Sequence, residues 1–88
     1  MEKVKRIIVG ITGASGVIIG IRLLEILRKL GIETHLILSE GAKRNILLET
    51  EFSVEKVEGL AYKVHNTKDL AAPISSGSFK TDGMVIAP

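Results

Sequence analysis

The stretch VKRIIVGITGASGVIIG, Val4 to Gly20, decides how this chain is read. An apolar run, Ile7 to Ile11, meets a cluster of small residues, Thr12 to Gly16, and a long apolar-periodic segment opens at Val17. That order predicts a strand, a tight turn and a helix. Gly10, Gly13 and Gly16 relax the turn, because glycine tolerates positive φ and lets a second backbone or a ligand come close. Thr12 and Ser15 place hydroxyls at its mouth. The first amides of a helix lack partners within it and sit at the positive end of its dipole, so a phosphate is a natural occupant. The spacing is G-x-x-G-x-x-G. It is not the dinucleotide fingerprint G-x-G-x-x-G, and it lacks the Lys of a P-loop. On the residues alone, an anion site and a connector that binds nothing both stand.

Working outward, the first strand spans about Val4 to Ile11. Its near-continuous apolar character suits a parallel strand covered on both faces. A helix follows over about Gly16 to Leu30. Ile18, Ile21, Leu24, Ile26, Leu27 and Leu30 form its apolar face, and Arg22, Glu25, Arg28 and Lys29 its polar stripe. Arg22 on that stripe suits a surface ion pair worth under ~1 kcal/mol. Gly31 is the stop signal. A second strand, Glu33 to Leu38, completes a βαβ unit with the usual right-handed crossover. Ser39 then stands as an N-cap before a helical stretch, Gly41 to Thr50, at the same carboxyl edge of the sheet as the Gly13–Ser15 turn. Ser53 opens a third helical segment with Val54, Val57, Leu60, Ala61 and Val64 at helical spacing. The stretch His65 to Asp82 has little periodicity and reads as a long loop, a kind usually functional or disordered. Met84 to Ala87 reads as a third strand. Three strands with an open edge and no covering helix after the last one suggest the front part of a longer protein.

Composition narrows the classes. A chain of 88 residues makes one small domain with a thin stability margin. Apolar residues at 45% and charged residues at 25% fit a soluble globular protein. A net charge of +2 is too mild for nucleic acid, and the basic start Lys3, Lys5, Arg6 has no interleaved aromatics. The absence of cysteine excludes disulfides, thiolate metal sites and cysteine nucleophiles from this sequence. No run reaches the ~18 apolar residues of a membrane span, and the N-terminus does not read as a signal peptide. The expected location is the cytoplasm. Glu49, Glu51, Glu55 and Glu58 fit solvated helix faces better than metal ligation. His35 reads as a structural strand residue and His65 as loop surface.

Several separate motifs occur together: GITGASGV at Gly10 to Val17, GIRLLEIL at Gly20 to Leu27, Ser39, Leu48-Glu49-Thr50, AAPISSGSF at Ala71 to Phe79 and GMVIAP at Gly83 to Pro88. In this order they resemble the flavin prenyltransferases of the UbiX type, and the likeness spans essentially the whole chain. The resemblance implies a flavodoxin-like or Rossmann-like α/β fold, a parallel sheet with flanking helices, here a truncated three-layer sandwich. Residues 1–88 would be a single flavoprotein domain, the amino-terminal half of a longer one. It also implies FMN, and a reaction that joins a dimethylallyl group from dimethylallyl phosphate to reduced FMN, at N5 and C6, releasing phosphate. The product, prenylated FMN, would serve a partner decarboxylase. A homo-oligomer, commonly a dodecamer, is implied, and no metal.

Carried over by position, the resemblance implies that Gly13, Ala14 and Ser15 form the first FMN-contacting turn and Ser39 a second contact. Ser15 would also touch the substrate phosphate and relay a proton. Glu49 matches an acidic residue with a role in proton transfer, although on the residues alone it reads as a solvated helix end. Leu70 to Ile74 would supply apolar wall for the prenyl tail, and the loop Ser75-Ser76-Gly77-Ser78 would shape the substrate region at a subunit interface. The family's later Cys-Ser-rich turn and its Arg, Lys and Tyr phosphate ligands have no match in these residues, so the 88-residue chain alone is expected to be catalytically incompetent. Two other readings are an FMN-dependent decarboxylase or oxidoreductase of the same group, and a flavodoxin-like binding module without chemistry.

Overall fold

Ile7 to Ile11 form the central strand because alternate side chains enter two different environments. The computed structural model describes residues 5–13, 16–67 and 81–87. Its elements in chain order are β1 (Arg6–Ile11), α1 (Val17–Lys29), β2 (Glu33–Leu38), α2 (Glu40–Glu49), α3 (Val54–Glu58), β3 (Lys63–His65) and β4 (Gly83–Ala87). The strands make one sheet in the order β3-β2-β1-β4. All three pairings are parallel, with Val9 opposite Leu36 and Val85, and Leu36 opposite Val64.

One face of the sheet carries the main core. Val9 and Ile11 of β1, Leu36 and Leu38 of β2 and Ala87 of β4 meet Val17, Ile21 and Leu24 of α1, Ala42 and Ile46 of α2, and Val57 of α3. The three described helices therefore all lie on that face. The period-two alternation of a strand puts Arg6, Ile8, Gly10, Glu33, His35, Ile37, Met84 and Ile86 on the other. There Ile8 and Ile37 form a second, small buried cluster.

The first helix, its stop signal and the second strand match the sequence reading to within a residue at each end. Gly31 takes a left-handed φ of 73°. Its amide donates to the Arg28 carbonyl, and Ile32 N donates to the Leu27 carbonyl at 3.0 Å, a Schellman closure. Arg22 and Glu25 form the surface ion pair at 2.8 Å.

Two readings need correction. The apolar face of α1 is narrower than its composition suggests: Val17, Gly20, Ile21 and Leu24 are buried, whereas Ile26 and Leu30 are more than half exposed. The sheet approaches only one side of a 13-residue helix, and the remaining isoleucines are left outside the contact. The third helical segment is also shorter. Only five residues, Val54–Glu58, are helical, and Val64 belongs to β3, which makes a fourth strand. Val64 fits a helical spacing from Val54 and Val57, but Lys63–His65 reach the open edge of β2, where their backbone groups gain partners. His65 is accordingly a half-buried strand residue rather than loop surface.

A polar chain crosses the second face. Arg6 Nε donates to Glu33 Oε2 at 2.5 Å, and His35 Nε2 lies 2.7 Å from the same oxygen. The hydrogen bond from His35, then the guanidinium of Arg6, hold the Glu33 carboxyl below its ordinary pKa against the opposing effect of burial. A carboxyl depressed in the folded state contributes stability above its unfolded pKa, about 4.3, and loses it as pH falls through the folded value. Glu33→Gln is therefore expected to lower urea stability at neutral pH. The gap from the wild type should close as pH drops below about 4, measured by urea unfolding across that range.

Candidate functional site at the carboxyl edge of the sheet

The site is built where β1 ends. Thr12 N donates to the Ala87 carbonyl at 3.0 Å, the last bond between β1 and β4. The chain then turns through Gly13, with φ 76°, and Gly16, with φ 63°. Gly13 is required for space as well as for φ: a Cβ there would lie 2.6 Å from both Cα and N of Ala42. The turn therefore rests directly on the first turn of α2. Asn45 Nδ2 donates to the Gly13 carbonyl from that helix. Ser39 Oγ donates to the Thr12 carbonyl at 2.7 Å and accepts from Ala42 N at 3.0 Å, and Ser39 N donates to the Ile11 carbonyl at 3.1 Å. One hydroxyl thus caps α2 and pins the turn after β1.

The helix starts differ in a way that matters. Ser39 caps α2 and Ser53 caps α3, each accepting a backbone N–H with its hydroxyl. The N-cap of α1 is Gly16, and no side chain caps that helix among the described residues. Ile19 N donates to the Gly16 carbonyl at 2.9 Å, and the start of the helix lies at the positive end of the dipole, which favours an anion. The topology singles out the same corner. β1, β2 and β3 are laid down successively in one direction, and β4 sits on the other side of β1. Ligands of open α/β sheets bind outside the carboxyl ends of the strands at such a reversal. An apolar groove of about 190 Å³ opens there, lined by Gly10, Thr12, Ile37, Ser39, Thr67 and Ile86 among others. A larger recess, about 450 Å³ between Arg28, Glu33, Leu60 and Tyr62, includes residues at the amino end of β2 and none of the sequence candidates.

Of the residues singled out from sequence, Gly13 and Ser39 are brought together through Thr12 and Ala42. Glu49 is not with them. It is the exposed last residue of α2, and ten residues of helix at about 1.5 Å rise put it ~15 Å along the axis from the Ser39 end. Ala14, Ser15, Leu70, Ile74, Ser75 and Ser76 lie outside the described residues. Asn45 is a site residue that the sequence reading misses. Its one signal is an asparagine inside a helix, where its propensity is poor, three residues after Ala42 and so on the same helix face. Ile37 and Ile86 join the groove through strand pairing, and Thr67 from the chain just after β3; none carries a local signal.

The Flavoprotein family profile matches residues 1–88. The chain belongs to that family. It is 56% identical over 85 residues to the flavin prenyltransferase UbiX of Escherichia coli strain K12, covering 96% of this chain and 45% of the relative. The crystal structure of AnUbiX (PadA1) in complex with FMN and dimethylallyl pyrophosphate superposes with a TM-score of 0.92 at 48% identity, covering 98% of this chain and 46% of that one. A dodecameric FMN-dependent UbiX-like decarboxylase from Escherichia coli O157:H7 gives a TM-score of 0.88 at 51% identity, covering 94% of this chain and 45% of that one. This flavoprotein has the flavodoxin-like α/β fold expected from its sequence, and it spans a little under half the length of the curated relatives it matches.

The corner's tight contacts give a graded expectation. Gly13→Ala combines a left-handed φ with a backbone clash and should destabilise by at least about 2 kcal/mol. Gly31→Ala, with a similar φ but open space around it, should cost only about 1 kcal/mol. Ser39→Ala removes a cap and a strap and should cost about 1–2 kcal/mol. Urea unfolding of the three variants checks the order.

Proposed function

We propose that this chain supplies half of the FMN site of a flavin prenyltransferase, as the amino-terminal part of a single flavoprotein domain. The observation that carries the reading is the corner after β1. There the start of α1, which no described side chain caps, follows a turn held on α2 by Gly13, Asn45 and Ser39, beside an apolar groove at the topological reversal. The pairing fits FMN, which has a phosphate and polyol tail for the amides and a flat ring for the groove. The 56%-identical flavin prenyltransferase relative and the FMN and dimethylallyl pyrophosphate of the AnUbiX complex support the same reading.

Reduced FMN, when bound, supplies the N5 and C6 positions to which the dimethylallyl group of dimethylallyl phosphate is joined as phosphate leaves. The chain's own residues act by placement and electrostatics. Gly13, Ala14 and Ser15 hold the polar tail through the turn, and Ser39 offers the lone pair its cap leaves over. Ser15 contacts the departing phosphate and passes on a proton. Leu70, Ile74, Ser75 and Ser76 wall the prenyl side. Glu49, about 15 Å from its own chain's corner by helix length, takes up a proton at a neighbouring copy's flavin. The dodecameric relative makes such a shared site reasonable. The prenylated FMN is handed to a decarboxylase that requires it. No described helix is long and apolar enough to cross a membrane, and the proposed location is the cytoplasm.

FMN titration followed by flavin fluorescence tests the reading. Binding is expected, and Ser39→Ala should weaken it about fivefold, the equivalent of one hydrogen bond. A protein that takes up no FMN overturns it in favour of a module without flavin chemistry. In the assembled enzyme, Ser15→Ala and Glu49→Gln should each abolish most prenyl transfer. Mixed oligomers of the two should recover part of it, since each copy then lends the residue the other lacks. No recovery would put Ser15 and Glu49 to work in the same copy, and an unchanged rate in Glu49→Gln would return Glu49 to a solvated helix end.

A further inference from the structure

The outer side of α1 carries a row of apolar side chains that the core leaves largely uncovered. The helix meets the sheet through Val17, Ile21 and Leu24. Ile19, Leu23, Ile26 and Leu30 make a second row, at steps of four, three and four along the chain. At about 100° per residue, that row lies on the far side of the helix from the sheet. Ile19 is 68% exposed, Ile26 55% and Leu30 67%, and Leu23 is half-buried. Leu30 caps the helix but keeps helical geometry, its amide donating to the Ile26 carbonyl at 3.0 Å. The row therefore runs the whole length of α1. A single exposed leucine needs no explanation, whereas a contiguous apolar row marks a contact surface.

The spacing points to another helix as the occupant. Alternating steps of four and three are the seam of two packed helices, in which each side chain enters a hole on its neighbour. Strands added beside β4, and helices laid on the sheet, extend the layers of the fold; this row points out of the stack and away from them. The row is also its own complement. Its 4-3-4 spacing is the same from either end, so a second α1 turned antiparallel sets Ile19 against Leu30 of the other copy and Leu23 against Ile26. That is an isologous contact, the kind a twofold axis makes. Charge selects the direction. Arg28 and Lys29 lie in the last turn. Parallel helices would bring both copies of that basic turn together, and antiparallel helices keep them apart. Arg22, on the flank of the row, is held by its own Glu25 at 2.8 Å.

We propose that α1 docks antiparallel on α1 of a second copy of this chain, through Ile19, Leu23, Ile26 and Leu30, as a twofold contact. The inference deepens the proposed function, and it rests on that reading only in that a site shared between copies needs several copies. A row of four side chains is small beside the ~800 Å² per partner of a stable interface. The seam is therefore one contact of a larger assembly, and association through it alone is weak.

The chain has no cysteine, so introduced cysteines report the seam directly and trap even a weak contact. Copies carrying Ile19→Cys, mixed with copies carrying Leu30→Cys under a mild oxidant, should form a disulfide-linked mixed dimer, because the antiparallel seam brings those positions within the ~7 Å between Cα atoms that a disulfide spans. Either variant alone should not crosslink, since its two cysteines would lie about 16 Å apart along the seam. Ile26→Glu should weaken self-association about a hundredfold, one buried isoleucine being lost from each of two copies, as read by sedimentation equilibrium. Its urea midpoint at low protein concentration should match the wild type. No crosslink in the mixture, or equal crosslinking of each variant with itself, overturns the proposal. So does an Ile26→Glu variant that keeps its association, or one that unfolds or loses urea stability, because the row is then covered by the chain's own residues. Crosslinking is read without flavin. A chain that crosslinks in this pattern and takes up no FMN defeats the site reading and leaves the seam standing; FMN uptake without the crosslink does the reverse.

Discussion

The approach of the turn after β1 to the first turn of α2 is the contact on which the rest depends. Ala42 lies where a side chain at Gly13 would go. That distance is tolerable only because Gly13 has no Cβ, Ala42 is small, and the polar groups so crowded find partners. Asn45 takes the Gly13 carbonyl, Ser39 takes the Thr12 carbonyl and the Ala42 amide, and β4 takes the Thr12 amide. Leaving any of these unmet in a crowded corner would cost on the order of 1–3 kcal/mol. The corner is satisfied from α2, its Ser39 cap and β4 at once, which is why it is rigid. Rigidity is what a site that works by placement needs.

Crossover handedness explains the one-sided arrangement of the described helices. Each right-handed crossover from β1 to β2 and from β2 to β3 moves in the same direction, so α1, α2 and α3 share a face and one core. The opposite face is less uniform. Its middle is apolar, with Ile8 and Ile37, while Arg6, Glu33, His35 and His65 run through it as a satisfied polar chain. A half-buried carboxylate and a buried imidazole are tolerable there because each hydrogen bond has a partner; a broken link would leave charge without compensation. Residues at the two ends of this face meet different demands: ionic contacts near the start of β1 and β2, and an apolar groove near their carboxyl ends.

Much of the fold is legible in the residues because it rests on local rules. The central strand, the first helix, the Gly31 closure and the caps at Ser39 and Ser53 follow from side-chain periodicity, glycine φ and hydroxyl capping, all of which act within a few residues. The departures share one cause. Periodicity puts Val64 on a helix, and Ile26 and Leu30 in the core, because it reports amphipathicity and not which neighbour is present. His65 reads as surface in the sequence because its partner, His35, is thirty residues away.

The sequence by itself determined the order of elements, the glycine turn that only a small residue can fill, the two serine caps, and the family to which these belong, since each is written in residues close together. Tertiary structure decided the rest. It placed β4 on the far side of β1, which makes the corner a reversal point. It brought Asn45 under Gly13, left Glu49 at the far end of its helix, and joined the two histidines. The reason is that these facts concern pairs of residues distant in sequence, and their contacts depend on strand order and packing, which no local pattern encodes.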